Sequence, residues 1–430
     1  MEIEELTENR TDQPCHLHAC LRHLMRLARW TGFFPVQGLG QTRADRTRCK
    51  IKSYYCCYYI ITLIGLIVMS SFAILYFLKN EIDLNTLSNI IFYVTSLISA
   101  ILLLKLSQQW PQLMAKATET EQGLTQLKLE NKTVVQITVI AYVVMALALV
   151  EHILCTNFSV RFVMLCLQES TITTNVMENY VVHRMPYVFS YVPYSAVSAF
   201  VFECICFQAT FLWSFNDVMI TCFSIYITAY LRNFNEVIIA NVTKDGIPWS
   251  VLRVHYSNLV KLVKEIDVQI SSFILVSFFT DLFYICLQLF NSLHRNRVSF
   301  KYCDEEQTQA LSSPTYLLYY LYSVIFLVLR TLMLSLSASN VHCAGLEPIY
   351  SVYDIHASVY DVEVRRFQLQ LHHTNVGLSG KFFYVTRNMI LKVMGTIITY
   401  EIVLLQYSIA PGKYYNGTTA TTIVENSTYG

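Results

Sequence analysis

The sequence predicts an all-α polytopic membrane protein with seven transmembrane helices. Two observations predict this fold class. Hydrophobic residues make up 54% of the 430 residues and charged residues only 14%, whereas an ordinary soluble domain contains about 25% charged residues. The apolar residues also lie in unbroken stretches, such as residues 54–78, that exceed the roughly 20 residues needed to cross the hydrocarbon core of a bilayer.

Hydropathy along the chain places each of the predicted spans. In chain order, the spans are expected at residues 54–78, 84–104, 134–155, 195–230, 266–290, 315–337 and 388–410. The fourth stretch is too long for a simple crossing and too short for two crossings with a polar turn between them. We therefore expect one helix there that continues into the cytoplasm.

The distribution of Lys and Arg predicts the orientation of the spans. These residues are concentrated in the N-terminal segment and in every second connection after it, and cytoplasmic loops accumulate basic residues. The N-terminus is therefore expected to be cytoplasmic and the C-terminus extracellular. Three Asn-x-Ser/Thr glycosylation sequences fall on the predicted exterior, at Asn157, Asn416 and Asn426.

These assignments divide the chain into three predicted parts. Residues 1–53 form a cytoplasmic N-terminal segment, residues 54–410 the transmembrane domain and residues 411–430 an extracellular tail. No internal repeat relates the two halves of the transmembrane domain, and no matching pair of spans is interrupted by Gly or Pro. This pattern disfavours a transporter built from inverted repeats.

An amphipathic helix is predicted between the sixth and seventh spans, within residues 347–387. Its apolar residues follow helical spacing, at Val362, Val364, Phe367, Leu369 and Leu371. The segment lacks the hydrophobic length of a membrane span, so we expect a cytoplasmic packing element. Residues 377–380, which begin and end with glycine, are expected to separate it from the last span.

Composition and motifs disfavour nucleic-acid binding and catalysis. The net charge is +1, so no basic excess indicates a nucleic-acid partner. The sequence lacks the H-E-x-x-H zinc motif, the phosphate-binding P-loop and the G-x-S-x-G nucleophile motif. His356 and Asp361 match the H-x-x-x-x-D pair of membrane acyltransferases, but those enzymes need a larger folded domain around the pair. No cofactor or metal is predicted.

Polar residues inside the predicted spans are the main candidates for ligand contact, because they are costly in lipid without a partner or a water-filled cavity. The fifth span carries a polar stripe at helical spacings of three and four residues, formed by Ser277, Asp281, Tyr284, Gln288 and Asn291. Further candidates lie in the outer halves of other spans, at Asn89, Tyr93, Glu151, His152, Glu203, Tyr316 and Tyr320.

Carboxylates, amides and tyrosines near the outer surface are typical of a site for a small polyhydroxylated ligand. Carboxylates accept hydrogen bonds from hydroxyl groups, and aromatic rings cover the apolar faces of a sugar ring. Interhelical hydrogen bonding and pore lining are alternative roles for the same residue types. Arg330, Arg387 and Lys392 lie toward the predicted cytoplasmic ends of their helices, where long side chains are expected to extend to water.

The last predicted span carries a family signature. Thr399-Tyr400, five intervening residues and Gln406-Tyr407 resemble the Thr-Tyr, five hydrophobic residues, Gln-Phe signature of insect gustatory receptors. Glu401 stands at a position that the general signature gives as hydrophobic, and Tyr407 stands in the place of Phe. The chain length, the seven spans and the internal N-terminus also agree with this family.

The sequence before the last span, GLSGKFFYVTR at residues 377–387, resembles the sugar-receptor subfamily in particular. The resemblance implies a ligand-gated, nonselective cation channel in the plasma membrane of gustatory receptor neurons, opened by a small-molecule sugar. It further implies a homotetramer or a heterotetramer with related chains, surrounded by membrane lipids. Cytoplasmic helical extensions, at about residues 341–387, would form an anchor between subunits.

In such a channel the last helix of each subunit lines the pore. Thr399 and Gln406 share one helical face, and Tyr400 and Tyr407 share a neighbouring face about 100° away. A modest rotation of the helix could therefore exchange a tyrosine ring for a polar amide at the constriction. These four residues are the predicted pore and gate residues.

Two other classes of seven-helix chemoreceptor are alternatives. A G-protein-coupled receptor has an external N-terminus, which the distribution of basic residues opposes, and the sequence lacks Asp-Arg-Tyr and Asn-Pro-x-x-Tyr motifs. A transporter would also place polar residues inside the bundle. Transport predicts stoichiometric uptake of the ligand, whereas a channel predicts current evoked by the ligand.

Overall fold

The computed structural model describes residues 16–41, 47–49, 52–80, 84–123, 129–168, 176–242, 248–293, 314–356 and 360–409. These ranges are almost entirely helical, which confirms the all-α fold class. The helices are α1 (His16–Trp30), α2 (Tyr54–Lys79), α3 (Leu84–Gly123), α4 (Asn131–Gln168), α5 (Val176–Arg184), α6 (Pro186–Phe189), α7 (Ala196–Val242), α8 (Trp249–Leu293), α9 (Pro314–Tyr353), α10 (Val362–His373) and α11 (Arg387–Ile409). Two short antiparallel strands, β1 (Val36–Gln37) and β2 (Arg48–Cys49), pair between α1 and α2.

The described helices account for all of the predicted spans. Six of them, α2, α3, α4, α7, α8 and α9, are long and apolar enough to cross a membrane. The seventh predicted span corresponds to α11, a helix of 23 residues. A helix suits this role because its backbone polar groups are paired within the segment. The protein is therefore a multi-pass membrane protein, while its orientation stays a prediction.

Several helices extend far beyond the apolar stretches that predicted them. α7 runs unbroken through 47 residues, which confirms that the fourth stretch is a single helix. α8 has 45 residues and α9 has 40. At 1.5 Å per residue these helices are about 60–70 Å long, roughly twice the ~30 Å hydrocarbon core. Hydropathy therefore located the apolar part of each helix but not its end.

The connection between α4 and α7 differs from the loop expected after residue 155. α4 continues to Gln168, and the short helices α5 and α6 follow it. Asn157, a predicted glycosylation residue, therefore lies exposed within a helix. The other two predicted glycosylation residues, Asn416 and Asn426, lie outside the described residues.

α1 is an element that the sequence analysis did not foresee. It packs against α3, α4 and α7, so part of the predicted cytoplasmic segment is built into the helix bundle. Leu17, Leu21, Leu24 and Ala28 are buried on one face, at the spacing of an amphipathic helix. At the start of α1, the Glu121 carboxylate of α3 accepts hydrogen bonds from two backbone N–H groups, which satisfies donors that a helix N-terminus leaves unpaired.

α7 lies at the centre of the bundle and packs against α4, α8 and, most extensively, α9. Its buried large side chains form much of the core. They are Phe215, Phe223, Tyr226, Tyr230 and Phe234. Polar side chains of α7 that face the same neighbours are consequently held between helices and shielded from solvent.

The amphipathic helix predicted between the last two spans is α10, and it buries Val364, Phe367 and Leu371. Residues 347–353 belong to the end of α9 instead. The Asp361 carboxylate accepts a hydrogen bond from the Val364 backbone N–H at 2.8 Å and so caps α10. This structural role accounts for Asp361 without the acyltransferase hypothesis.

α10 packs against α8 through charged side chains as well as through its apolar face. The Arg253 Nε donates to Glu363 Oε2 at 3.1 Å, and Arg366 Nη1 donates to Glu363 Oε1 at 2.6 Å. The hydrogen bond from Arg366 and the charge of Arg253 hold the pKa of Glu363 below its ordinary value.

Residues 374–386 connect α10 to α11 and are held by Asp267 of α8. The Asp267 carboxylate accepts hydrogen bonds from the Ser379 backbone N–H at 2.6 Å and from the Ser379 hydroxyl at 2.8 Å. The Gly380 N–H donates to the Phe383 carbonyl at 2.8 Å and closes a tight turn. The predicted break between the amphipathic helix and the last span is therefore confirmed, although the helix ends at His373, before the predicted residues 377–380. The connection is held directly by α8.

Candidate functional site

A buried ion cluster joins three helices of the bundle: Asp217 of α7, Asp281 of α8 and Arg330 of α9. The Arg330 Nε lies 2.7 Å from Asp217 Oδ2, and its Nη2 lies 3.5 Å from Asp281 Oδ1. The side chains of both aspartates are 0% exposed and that of Arg330 is 1% exposed. The expectation that Arg330 extends to water is therefore wrong, because its charge is neutralised between helices.

Asp281, the central residue of the predicted polar stripe, is surrounded by donors. Its Oδ1 accepts a hydrogen bond from the Trp213 indole N–H at 3.0 Å, and its Oδ2 accepts one from the Thr331 hydroxyl at 2.9 Å. The Arg330 guanidinium carbon lies 4.5 Å from the centre of the Trp213 ring, a cation–π geometry. Carboxylate, indole, hydroxyl and guanidinium thus meet in one place.

A second set of contacts, which we call the outer polar network, lies toward the start of α9 and consists of Glu151, Gln288, Tyr320 and Ser323. The Ser323 hydroxyl donates to Glu151 Oε1 at 2.6 Å and accepts from Gln288 Nε2 at 3.0 Å. The Tyr320 hydroxyl donates to the backbone carbonyl of Gln288 at 2.9 Å. The structure therefore brings three predicted ligand residues together, and two of them, Glu151 and Gln288, meet through a serine that was not predicted from the sequence.

Two further predicted residues are tyrosines that link neighbouring helices. The Tyr284 hydroxyl donates to the Ser88 carbonyl at 2.8 Å, and its ring lies 4.7 Å from that of Trp213. The buried Tyr93 hydroxyl lies 2.7 Å from that of Tyr187. Tyr284 therefore connects α3 to the ion cluster, whereas Tyr93 connects α3 to α6.

His152 and Glu203 lie in a different place, a groove of about 960 Å³ on the flank of the bundle. We call this the flank groove, and its lining includes Trp30, Tyr58, His152, Tyr180, Phe200, Glu203 and Phe207. The His152 ring meets Phe207 edge-on, with 5.3 Å between ring centres. The Glu203 Oε1 lies 3.7 Å from Arg184 Nε. None of the three ion-cluster residues lines the groove.

The remaining predicted residues are less closely connected to these sites. Tyr316 stacks against Tyr320, with 5.8 Å between ring centres, and Asn89 is half-buried on α3. On α11, Thr399 and Tyr400 are exposed. Gln406 and Tyr407 also belong to α11, and their side chains lie outside the described part of the structure.

The partners that complete the ion cluster were not among the residues predicted from the sequence. Asp217 carried the same signal as Asp281, a carboxylate inside an apolar stretch, and could have been selected on that ground. Trp213 and Thr331 carried no such signal, because an indole and a hydroxyl are common in membrane helices. Across the described residues, no group of three His, Cys, Asp or Glu side chains could hold a metal ion.

Sequence comparisons identify relatives that match most of this chain. Residues 4–413 match the family model described as trehalose receptor. In Drosophila melanogaster, the gustatory receptor for sugar taste 64f is 27% identical over 396 residues, which cover 91% of this chain and 80% of the relative. The gustatory receptor 5a for trehalose is 26% identical over 397 residues, 91% of this chain and 85% of the relative.

A solved structure shows the same fold at low sequence identity. The insect olfactory receptor OR5 from Machilis hrabei, in complex with eugenol, superposes with a TM-score of 0.62 at 14% identity, covering 91% of this chain and 99% of that one. The family match over residues 4–413 confirms the resemblance noted at the last span. The chain belongs to the trehalose receptor family of insect gustatory receptors.

Proposed function

We propose that this chain is a sugar-gated, nonselective cation channel of the plasma membrane of gustatory receptor neurons. The observation that carries the proposal is the match of residues 4–413 to the trehalose receptor family, together with relatives described as receptors for sugar taste. As a gustatory receptor, the chain is not expected to be an enzyme.

The sugar engages the ion cluster and the outer polar network in this proposal. These sites contain carboxylates, an indole, amides and tyrosine hydroxyls, which can bind the hydroxyl groups and the apolar faces of a sugar ring. Asp281 and Gln288 lie on one face of α8. Asp281 belongs to the ion cluster, and Gln288 belongs to the outer polar network. Both are engaged by protein partners, so a sugar must exchange protein hydrogen bonds for its own. The further predicted contacts are Asn89, Tyr93, Glu151, Tyr284, Tyr316 and Tyr320.

Exchange of these hydrogen bonds provides a means of gating. The ion cluster links α7, α8 and α9, and the outer polar network links α4, α8 and α9. A ligand that replaces one partner therefore alters a contact between helices. It favours whichever arrangement of helices binds it more tightly.

α8 connects the proposed sugar site to the proposed pore helix. Asp281 and Asp267 are on this same helix, and their separation of 14 positions corresponds to about 21 Å at 1.5 Å per residue. Asp267 holds Ser379 in the segment before α11. A shift of α8 would therefore be transmitted to the start of α11.

α11 has the surface expected of a helix that other copies of the chain cover. Leu391, Ile398 and Tyr400 are 69%, 57% and 55% exposed, and no atom lies within 4 Å of a side-chain carbon placed on Gly395. Four such helices around an axis would form the pore of a homotetramer or heterotetramer. Thr399, Tyr400, Gln406 and Tyr407 are the proposed pore and gate residues.

Current recordings with a matched pair of variants test this function. Asp281→Asn preserves shape but removes charge, and charge-assisted hydrogen bonds contribute about 1.5–3 kcal/mol. The sugar concentration for half-maximal current should therefore rise roughly tenfold or more. Glu265→Gln makes the same chemical change on the same helix, at an ion pair with Lys116 that is about half exposed, and should leave the response unchanged.

The same recordings separate the proposal from its alternatives. Current that follows sugar addition without stoichiometric uptake supports a channel over a transporter. Insensitivity of the current to inhibitors of G-protein signalling supports direct gating over a G-protein-coupled receptor. Absence of current with every sugar, in cells that display the chain at the surface alone and with a second receptor of this family, would contradict the proposal.

A further inference from the structure

We propose that the ion cluster binds one proton, which Asp217 holds as a neutral carboxylic acid while Asp281 stays ionised beside Arg330. The proton is bound in the chain without sugar. The inference therefore goes beyond the proposed sugar contacts and does not depend on channel activity. It assigns to the centre of the bundle a ligand whose occupancy is set by the pH.

The charges of the ion cluster do not cancel when both aspartates are ionised. One guanidinium lies against two carboxylates, with 2.7 Å between Arg330 Nε and Asp217 Oδ2 and 3.5 Å between Arg330 Nη2 and Asp281 Oδ1. In the described part of the chain, no other Lys, Arg or His lies within 4.0 Å of either carboxylate. The cluster would therefore carry one excess negative charge.

This excess charge would lie deep between helices. The side chains of Asp217, Asp281 and Arg330 are all buried, and the helices that carry them, α7, α8 and α9, are long and apolar enough to cross a membrane. An ionised carboxylate without a counter-charge is strongly disfavoured in such surroundings, and the group takes up a proton instead. When two carboxylates share one site, one of them retains its proton to a much higher pH than in water.

The groups around the ion cluster provide hydrogen bonds but no second positive charge. Glu151 of α4 lies near enough to act on the charge of Arg330, but a carboxyl group is either negative or neutral. α3 reaches this region through Ser99, which accepts a hydrogen bond from Asn216 at 2.8 Å. The other uncharged neighbours are Trp213 and Ser214 of α7, Ser277 and Tyr284 of α8, and Thr331 of α9. The missing positive charge must therefore come from a ligand.

Asp281 is the aspartate that is equipped to stay ionised. Its Oδ1 accepts a hydrogen bond from the Trp213 indole N–H at 3.0 Å, and its Oδ2 accepts one from the Thr331 hydroxyl at 2.9 Å. Donors thus engage both carboxylate oxygens, in addition to the guanidinium. Hydrogen bonds donated to a carboxylate favour its charged form.

Asp217 is the aspartate that lacks such donors. Neither of its oxygens forms an aligned hydrogen bond within the described structure, although the Arg330 Nε is close. The Ser277 hydroxyl of α8 lies within hydrogen-bonding reach of Asp217, but its oxygen too is buried without an aligned bond. A protonated Asp217 can donate its O–H to this oxygen. One proton thus removes the excess charge and gives both groups a partner.

A metal ion matches the site less well than a proton. Metal ions that prefer oxygen need several ligands, and across the described residues no group of three His, Cys, Asp or Glu side chains could hold one. Arg330 also lies against both carboxylates, and its positive charge would repel a bound cation. A proton needs a single oxygen and leaves a neutral group.

Infrared spectroscopy tests the proposal on the full chain, purified in a maltoside detergent that has no carbonyl group. The carbonyl stretch of a protonated carboxylic acid lies at a higher frequency than the bands of ionised carboxylates and amides, and it shifts in D₂O. We expect the chain at neutral pH to show this acid band. The measurement involves neither sugar nor current.

Two variants and one matched control locate the proton. Asp217→Asn and Asp281→Asn each leave one carboxylate for one guanidinium, so the cluster is neutral without a proton and each variant should lose one carboxyl equivalent of the acid band. Glu265→Gln makes the same kind of change at an ion pair with Lys116 that is about half exposed, and should retain the whole band. A normal size-exclusion profile shows that a variant is folded, and either aspartate variant is sufficient if the other does not fold.

The pH dependence of unfolding provides a second readout. The folded chain holds the proton, whereas an aspartate in the unfolded chain releases it near its ordinary pKa of about 3.9. Stability is therefore lost as the pH rises. From about pH 5 to about pH 7, the unfolding equilibrium constant of the unaltered chain in SDS–maltoside mixtures should increase roughly tenfold more per pH unit than that of Asp217→Asn.

Three outcomes would overturn the assignment. An acid band that neither aspartate variant reduces would show that both aspartates are ionised. Unfolding with the same pH dependence in the unaltered chain and in Asp217→Asn would show that the folded cluster holds no extra proton. A loss of stability when choline replaces Na⁺, without an acid band, would assign the positive charge to a metal ion. Because neither readout uses sugar or current, failure of the channel proposal would leave both intact, and their failure would leave the channel proposal intact.

Discussion

The ion cluster and the flank groove contain the same types of charged group but differ in the distance between those groups and in their exposure. Arg330 and Asp217 are 2.7 Å apart with side chains 1% and 0% exposed, whereas Arg184 and Glu203 are 3.7 Å apart with side chains 14% and 25% exposed. The first pair is closed off between helices, and the second borders an open groove. The same pair of residue types therefore occurs in this bundle both as a closed contact between helices and as a looser contact beside a groove.

The largest expected difference between the two regions is in stability. Arg330→Met leaves two buried carboxylates without their cation, and removing one partner of a buried ion pair typically costs about 3–5 kcal/mol. Arg184→Met breaks a longer pair with Glu203 and removes two hydrogen bonds, to Thr156 and Tyr180, which together contribute about 1–3 kcal/mol. Surface biotinylation and thermal unfolding of the purified chain should show a severe loss of surface expression and stability for the first variant and a smaller loss for the second.

A compensating variant sharpens this prediction. Asp217→Asn and Asp281→Asn in the Arg330→Met background remove the stranded charges and should recover part of the lost surface expression. Equal damage from Arg330→Met and Arg184→Met would show that the two regions do not differ in the way their geometry indicates.

A smaller difference is expected for single hydroxyl groups. Ser323→Ala removes the hydroxyl between Glu151 and Gln288, and loss of a buried hydrogen bond to a charged group costs about 1.5–3 kcal/mol. Ser71→Ala removes an exposed hydroxyl that bonds only to its own helix at 2.8 Å, and should change stability by less than about 0.5 kcal/mol. Thermal unfolding in detergent compares the two, and a Ser71→Ala effect as large as that of Ser323→Ala would contradict the outer polar network as a structural unit.

The comparison also explains how much of the structure the sequence could predict. The fold class and all seven spans followed from apolar stretches, because crossing lipid demands a long helix with paired backbone groups. The polar stripe on α8 followed from helical spacing. The partners across helices could not be predicted, because Asp217, Asp281 and Arg330 are far apart in the chain and only packing brings them together. α1 was missed for another reason: its amphipathic pattern is clear, but a helix containing Arg22, Arg26 and Arg29 has none of the hydropathy of a span.

The separation between the two regions is itself open to a direct test at Glu203. If the sugar binds at the ion cluster and the outer polar network, Glu203→Gln should shift the half-maximal sugar concentration by less than about threefold, since the flank groove shares no lining residue with the ion cluster. It should also change stability by no more than about 1 kcal/mol, because the pair with Arg184 is long and partly exposed. Dose–response recordings, with Asp281→Asn as the sensitive reference, measure the first effect. A tenfold shift in Glu203→Gln at normal surface expression would mean that sugar reaches the groove, and the contrast between a closed sugar site and an open groove outside it would no longer hold.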